Sequence, residues 1–247
     1  MTTADRWTRT VREQLALGRF LPLGGERDGA WIAERAAREV LLEAARALPG
    51  VRLDGLRLAL ADPAAACEPA VPAPPSALPP GPLRLTADLA ATASEPLPAA
   101  ASRVRVTLAE AAALRLGLTV TDVDLRVTAL LESAPEPTPE PQPRAVRAAG
   151  AGDGDEGRVA RAALEVEGVT RLTDTLGRPV DLSAPGREGA ALPRRHVRLE
   201  CAVDAERRTV EVARRLRTAV SQALPDHPSV AVLVTAVDRA GGAGRTG

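Results

Sequence analysis

The sequence predicts an α+β protein made of two tandem αββαβ units, each a small three-stranded sheet with two helices, joined by a proline-rich linker. Residues 30–132 and 158–238 show the same order of helix-like and strand-like patterns, and an internal repeat strongly constrains an architecture. Three pairs of segments correspond between the two units. They are Ala47–Val51 with Glu165–Val169, Leu83–Asp88 with Val197–Ala202, and Val123–Thr128 with Val230–Thr235.

The two helices of the first unit are predicted from apolar residues that recur every three or four positions. The first helix runs from Ala30 to Leu48, with Asp28 placed to cap its start. The second runs from Pro98 to Leu116, because proline suits the first turn of a helix. Gly117 can adopt the left-handed conformation that ends a helix, so we expect the second helix to close there.

The three strands of the first unit are predicted from alternating apolar residues at 56–60, 83–89 and 123–129. Residues 62–82 carry eight prolines and are therefore predicted to be a loop inserted between the first two strands. In the third strand one side is apolar and the other is polar, which predicts that the apolar side faces the core. The expected inward residues are Val123, Leu125, Val127 and Ala129.

The second unit repeats this order in a shorter form. Its predicted elements are a helix at 158–167, strands at 170–173 and 196–203, a helix at 208–224 and a closing strand at 230–235. Unlike its counterpart in the first unit, the closing strand is apolar on both sides. That composition is typical of a strand at the centre of a sheet or at a contact between subunits.

Three segments lie outside the two units: an N-terminal arm at 1–29, a Pro/Gly-rich linker at 133–157 and a tail at 239–247. The arm has an amphipathic helical pattern over residues 5–21, carried by Trp7, Val11, Leu15 and Phe20. Two interpretations are open for it. The arm packs on the first unit as a clip, or it docks on a partner or on a membrane surface.

The composition limits the class of protein. The chain has 32 basic residues, all arginine, and 32 acidic residues, so no net field attracts it to nucleic acid. Its two cysteines are far apart and outside any CxxC motif, which argues against a disulfide framework or a zinc site. The N-terminus has no apolar signal-like core, and the longest apolar run is too short for a transmembrane segment. We therefore expect a cytoplasmic protein.

No catalytic group, metal site or cofactor is predicted. His196 and Cys201 are five residues apart on one strand, so they project to opposite faces and cannot share a metal or act together as nucleophile and base. Asp122 and Asp124 share the polar side of a strand, where they form either an acid–base pair or a solvated face. The solvated face needs no further assumption and is preferred.

One segment of the second unit is rich in positive charge. Eight arginines and four acidic residues lie between positions 194 and 217. They form either a solvated face or an anion-binding surface for an acidic partner, a phospholipid headgroup or an RNA backbone. We call these residues the arginine set: Arg194, Arg195, Arg198, Arg207, Arg208, Arg214, Arg215 and Arg217.

The closing strand is the predicted self-association surface, through Val230, Ala231, Val232, Leu233 and Val234. Two patterns carry a family resemblance: the Gly-Val after the first helix of each unit, and the closing Val-x-Val-x-Val-Thr-x-Val run. Together with the Asp28–Ile32 entry, they make the chain resemble a two-copy version, from a GC-rich bacterium, of the alkaline shock protein family. The family's patterns fit the second unit better than the first.

The resemblance implies a non-enzymatic protein that is associated with cell-envelope stress. It also implies self-association and recruitment to the inner face of the cytoplasmic membrane by a membrane-anchored partner. The expected assembly is a homo-oligomer or an intramolecular pairing of the two units. The alternative is a cytoplasmic adaptor or regulator that binds an acidic partner, or less favourably RNA, through the arginine set. The missing GxxG and stacking aromatics argue against the RNA form.

Overall fold

The computed structural model describes residues 17–133, 154–183 and 195–239. Within these ranges the chain is α+β, as predicted, with four helices and nine strands in two sheets. The helices are α1 (Glu34–Arg46), α2 (Leu97–Glu110), α3 (Asp155–Leu164) and α4 (Thr209–Gln222). The strands are β1 (Phe20–Pro22), β2 (Ala30–Ala33), β3 (Val51–Leu60), β4 (Leu83–Thr92), β5 (Val120–Leu131), β6 (Val169–Leu172), β7 (Val180–Ser183), β8 (His196–Asp204) and β9 (Ser229–Asp238).

The first sheet has the order β3–β4–β5 in the described chain. β3 and β4 are antiparallel, whereas β4 and β5 are parallel and are connected through α2, as parallel strands require a crossover. A single π-helical stretch over Ala111–Leu116 continues α2, and Gly117 ends it with φ of 85°. The predicted left-handed closure at Gly117 is therefore confirmed.

The second sheet has six strands in the described ranges, in the order β1–β2–β9–β8–β6, with β7 also paired to β8. β9 lies between β2 and β8 and is parallel to both. The prediction of a three-stranded sheet is therefore wrong for the second half of the chain. β1 and β2 come from residues that precede the first unit's helix, and β7 comes from a segment between two predicted strands in which no strand was predicted.

The helix predicted to begin at Ala30 begins instead at Glu34, because Ala30–Ala33 forms β2. All four residues of β2 are buried, and the indole N–H of Trp31 donates to the Leu78 carbonyl at 3.3 Å. Such a continuous apolar run is typical of a strand covered on both faces. Asp28 does not cap a helix; its carboxylate accepts a hydrogen bond from the backbone N–H of Gly25 at 2.7 Å.

The described residues of both halves share one hydrophobic core. It includes Val40 and Leu108 from the first half and Leu216 and Leu233 from the second. The described part of the arm joins it through Leu17, Phe20, Leu21 and Leu23, which are all buried. The two predicted units therefore pack together, and the end of the arm, which precedes both in sequence, lies within their common core.

The outer half of β5 does not follow the predicted pattern. Val123 and Leu125 pack against the core, but Val127 is 43% exposed and Ala129 is also exposed. Alternation correctly places Val123, Leu125 and Val127 on one side of the strand. A bulge at Thr128 turns Ala129 to the other side, because Val127 pairs with Leu89 and Ala129 pairs with the adjacent Ala90. Alternation predicts neither this bulge nor the exposure of the last residues of β5 at the outer end of an edge strand. No helix in the described part of the chain is long and apolar enough to cross a bilayer.

Candidate functional site

Three members of the arginine set bind the first half of this same chain. Arg214 forms a two-pronged ion pair with the Asp28 carboxylate, at 2.8 and 2.9 Å. Arg217 donates to the Arg27 carbonyl, and Arg208 donates to the Ala113 carbonyl at 3.1 Å. These contacts place α4 against the loop before β2 and against the end of α2.

Asp28 is the centre of this contact. Its two oxygens accept bonds from Arg214 and from the backbone of Gly25. The hydrogen bonds from Arg214 are the main reason that the pKa of Asp28 is lowered from its ordinary value, against the opposing effect of burial. The carboxylate is therefore kept ionised and holds the two halves together electrostatically.

The other described members of the arginine set also have acidic partners. Arg195 pairs with Asp226 and Asp155, each at 2.7 Å, and Arg198 pairs with Asp181 at 3.1 Å. Arg207 and Arg215 both pair with Glu167. Arg194 lies outside the described residues. The described arginines are thus largely neutralised by neighbours, which favours the solvated, ion-paired face over an open anion-binding surface.

The predicted self-association strand lies inside the second sheet. Both edges of β9 are occupied in this sheet, one by β2 and the other by β8. Its five predicted contact residues are at most 1% exposed: Val230, Ala231, Val232, Leu233 and Val234. They cannot form a self-association surface in this structure, so that prediction is wrong. The sheet-centre interpretation of the same pattern agrees with the structure.

The predicted docking arm is described only at its C-terminal end. Phe20 lies in β1 rather than in a helix and is 2% exposed, so its ring is not available to a partner. Its backbone is also hydrogen-bonded, since the backbone N–H of Leu78 donates to the Phe20 carbonyl at 2.8 Å. This end of the arm behaves as the clip of the first interpretation. Trp7, Val11 and Leu15 lie outside the described residues.

The titratable groups of β8 do not form a catalytic cluster. Nδ1 of His196 lies 2.8 Å from the Ser229 hydroxyl, and burial lowers the pKa of this histidine. Burial raises the pKa of Cys201 to about 12, so the thiol stays protonated and unreactive. Burial also raises the pKa of Glu200 to about 7, while its oxygens accept a bond from the Leu176 N–H. No group of metal-ligating side chains occurs in the described ranges.

Asp122 and Asp124 remain on the polar side of β5, and each faces Arg84 of β4, at 4.0 and 3.6 Å. Their side chains are about half exposed or more, at 46% and 63%. Two exposed carboxylates that share one arginine suit a solvated, ion-paired face better than an acid–base pair.

An open groove of about 950 Å³ lies where β4 and β5 end. Glu95 and Arg103 form an ion pair within it, and the exposed side chain of Leu130 forms part of its wall. The full lining is Pro49, Gly50, Thr92, Ala93, Ser94, Glu95, Arg103, Leu130, Leu131, Glu132 and Ser133. This open lining mixes polar and charged groups with apolar side chains, among them Leu130 and Leu131, and suits contact with a protein better than catalysis.

β5 forms the outer edge of the first sheet, and no described strand pairs with that edge. It carries two of the large exposed hydrophobic side chains, those of Val127 and Leu130, at 43% and 63%. The sequence prediction missed this surface because it assigned Val127 to the core. A usable signal was present in the run Val-Asp-Leu-Arg-Val, whose charges are opposite on the two sides of a central leucine.

No family model matches the sequence, and no curated protein or solved structure matches it.

Proposed function

We propose that this chain is a non-enzymatic scaffold of the bacterial cell envelope, built from two αββαβ copies, which self-associates in the cytoplasm. As the resemblance to alkaline shock proteins implies, a membrane-anchored partner recruits it to the inner face of the membrane. The observation that carries the proposal is the uncovered edge of β5, with its exposed Val127 and Leu130. An uncovered apolar edge strand is a template for pairing with another chain.

The connection of strands supports two related copies. β3, β4 and β5 pair in the same pattern as β6, β8 and β9: an antiparallel pair, a helix, and then a parallel strand. The second half has one additional strand, β7, between β6 and β8 in the chain. Each closing strand also has a bulged threonine, because the register passes over Thr128 in β5 and over Thr235 in β9. Bulges tend to persist within families, which makes this coincidence informative.

The bulges also refine the correspondence. If Thr128 is matched with Thr235, Leu89 of β4 corresponds to Cys201 of β8. This differs by two residues from the sequence alignment, which matches Ala87 with Cys201. A two-residue displacement keeps every side chain on the same face, so apolar alternation alone could not detect it.

Two glycines add a second, independent similarity. Gly50 lies between α1 and β3, and Gly168 lies between α3 and β6, and both have positive φ, of 72° and 97°. The left-handed conformation is costly for residues with a Cβ atom, so each hinge favours glycine. The same residue with the same backbone conformation at the same step of each half supports a duplicated unit.

The state of the charged groups supports a binding role over an enzymatic one. Two of the three perturbed side chains of β8, Glu200 and Cys201, are fully buried. The third, His196, is partly buried and lies against the Ser229 hydroxyl. The described members of the arginine set are bound within the chain, which favours the scaffold over an adaptor that captures an acidic partner.

Two measurements on the full chain test this proposal. Light scattering coupled to size exclusion should give a mass above the 25.7 kDa of one chain, rising with concentration. Fractionation of the bacterial host should place part of the protein with the membrane, and removal of the partner should release it. A protein that stays monomeric at every concentration, or that turns over a substrate, would overturn the proposal.

A further inference from the structure

The uncovered edge of β5 is suited to a second copy of itself. We propose that two chains join their first sheets edge to edge, with β5 antiparallel to the partner's β5 about a two-fold axis at Leu125. This inference rests on the proposed function and names the surface of self-association. It would create a continuous six-stranded sheet from two sheets of three strands.

The second sheet shows what this edge can accommodate. There, the outer edge of the closing strand β9 is covered by β2, with Ala30 opposite Val232 and Ile32 opposite Val234. Matching the bulged threonines makes Val232 correspond to Leu125 of β5. The first sheet has a closing strand of the same connection, but no described strand covers the equivalent stretch.

The backbone of this stretch is regular. Residues 122–127 of β5 pair with residues 84–89 of β4 without interruption, and the bulges lie outside that run. The opposite edge of the sheet is different, since the register of β3 shifts between Asp54 and Arg57, next to Gly55 with φ of 59°. Bulges disturb edge pairing. β5 is therefore the better of the two edges for a second strand.

The Val123 carbonyl shows which backbone groups face outward. It accepts a hydrogen bond from Nε of Arg105 at 3.1 Å, so it is open to a group outside the β4–β5 ladder. Backbone groups alternate in direction along a strand, so Leu125 and Val127 direct theirs to the same edge as Val123. A carbonyl oxygen has two lone pairs, which lets Val123 accept a second bond without losing Arg105.

The side chains select one register. With Leu125 opposite itself, Asp124 of each chain faces Arg126 of the other, and Val123 faces Val127. Opposite charges and apolar pairs placed directly across an antiparallel ladder are stabilising. Within the chain Asp124 pairs with Arg84 at 3.6 Å and Arg126 with Asp88 at 2.9 Å. The two side chains are nevertheless 63% and 78% exposed, so each keeps an open side toward the outer edge of the sheet.

Neighbouring registers are disfavoured by the same charges. Directly opposite residues must share a face, so the two-fold axis must pass through a residue. An axis at Asp124 places two aspartates opposite each other, and an axis at Arg126 does the same for two arginines. An axis at Val123 puts Asp122 opposite Asp124. Among these alternatives only the Leu125 register pairs every charged residue of the run 123–127 with an opposite charge.

Charge exchange tests the register directly. Asp124→Arg places arginine opposite Arg126, and Arg126→Asp places aspartate opposite Asp124, so each single variant should dissociate the dimer. The double variant D124R/R126D restores opposite charges and should recover it. Asp122→Arg is the matched control: it makes the same charge change on the same strand, but opposite Thr128, and should leave the dimer intact.

The measurement is the mass of the full chain by light scattering across a wide range of concentration, with circular dichroism to verify folding of each variant. The expected result is a twofold mass for the wild type, D122R and the double variant, and a single-chain mass for D124R and R126D. If the wild type self-associates but the single variants do so equally, or the double variant does not recover, the β5 register is wrong while the scaffold proposal survives. A monomeric wild type would overturn both.

Discussion

Glu200 offers the most direct test of the electrostatics of this fold. Its side chain is fully buried in β8, and its two oxygens accept bonds from the backbone N–H of Leu176 at 3.0 and 3.3 Å. Burial raises its pKa from 4.5 to about 7, although those backbone bonds and the charge of Arg198 act in the opposite direction. Asp174 adds to the increase. In the unfolded chain the same carboxyl is expected to titrate near its ordinary value.

The consequence for stability has a definite sign. A carboxyl that binds its proton more tightly in the folded state stabilises the fold at low pH, and this contribution is lost as the pH rises through the folded-state pKa. Each pKa unit corresponds to about 1.4 kcal/mol, so the difference between 4.5 and about 7 corresponds to about 3 kcal/mol once the group is ionised. Most of this change falls between about pH 5 and pH 8.

The substitution Glu200→Gln removes the titration but keeps a carbonyl oxygen that can accept the bond from Leu176. We expect the free energy of unfolding of the variant, relative to the wild type, to increase by about 2–3 kcal/mol between pH 5 and pH 8. Urea unfolding of both proteins at matched pH values measures this difference. His196 has a lowered pKa and works in the opposite direction below its ordinary 6.5, but it is present in both proteins and largely cancels. A difference that does not change with pH would refute the reasoning.

Three further substitutions test the packing between and within the halves. Asp28→Asn weakens a two-pronged ion pair, so it should lower the free energy of unfolding, measured in urea, by about 1–2 kcal/mol at neutral pH. This loss should shrink in acid, because the wild-type carboxylate is then protonated. Gly117→Ala should cost about 2–4 kcal/mol, because its Cβ would lie 2.2 Å from Cγ1 of Val210 at a φ of 85°. Adding Val210→Ala should recover only part of that in a double-mutant cycle, since Cβ of Val210 would still be 2.5 Å away. Leu233→Ala should lower the free energy of unfolding by about 2–5 kcal/mol in the same assay, because this side chain is fully buried. Leu130→Ala should lower it by less than about 0.5 kcal/mol, because Leu130 is 63% exposed. Equal effects of the two leucine substitutions would contradict the burial assigned to β9.

Elements defined by their own residues could be predicted from the sequence. The helix ending at Gly117 and the strand His196–Asp204 have local signals: a left-handed glycine in one and alternating apolar residues in the other. β2 has no such signal, because Ala30–Ala33 is placed as a strand between β1 and β9, and β9 lies some 200 residues later in the chain. Its apolar residues could equally belong to the helix that follows directly.

The role of the arginine set could not be predicted for a related reason. Counting charges along the sequence shows an excess of arginine but not which carboxylates fold back onto it. Asp28 lies 186 residues from Arg214, and the carbonyl that binds Arg217 is 190 residues away. An exposed anion site and an internal ion pair have the same sequence signature, and only the fold distinguishes them.

The two closing strands show how composition determines the place of a strand in its sheet. β9 is apolar on both sides, so either face would expose valine and leucine if it were left in water. β9 lies between β2 and β8 and packs against α4, and this position avoids that cost. β5 alternates apolar residues with Asp122, Asp124 and Arg126, so one of its faces is stable in water and the strand can remain at an edge. Its charges also restrict which strand it accepts, since Asp124 and Arg126 repel their own kind in the neighbouring registers. The residues that keep β5 soluble as an edge are thus the same residues that would give its pairing a single register.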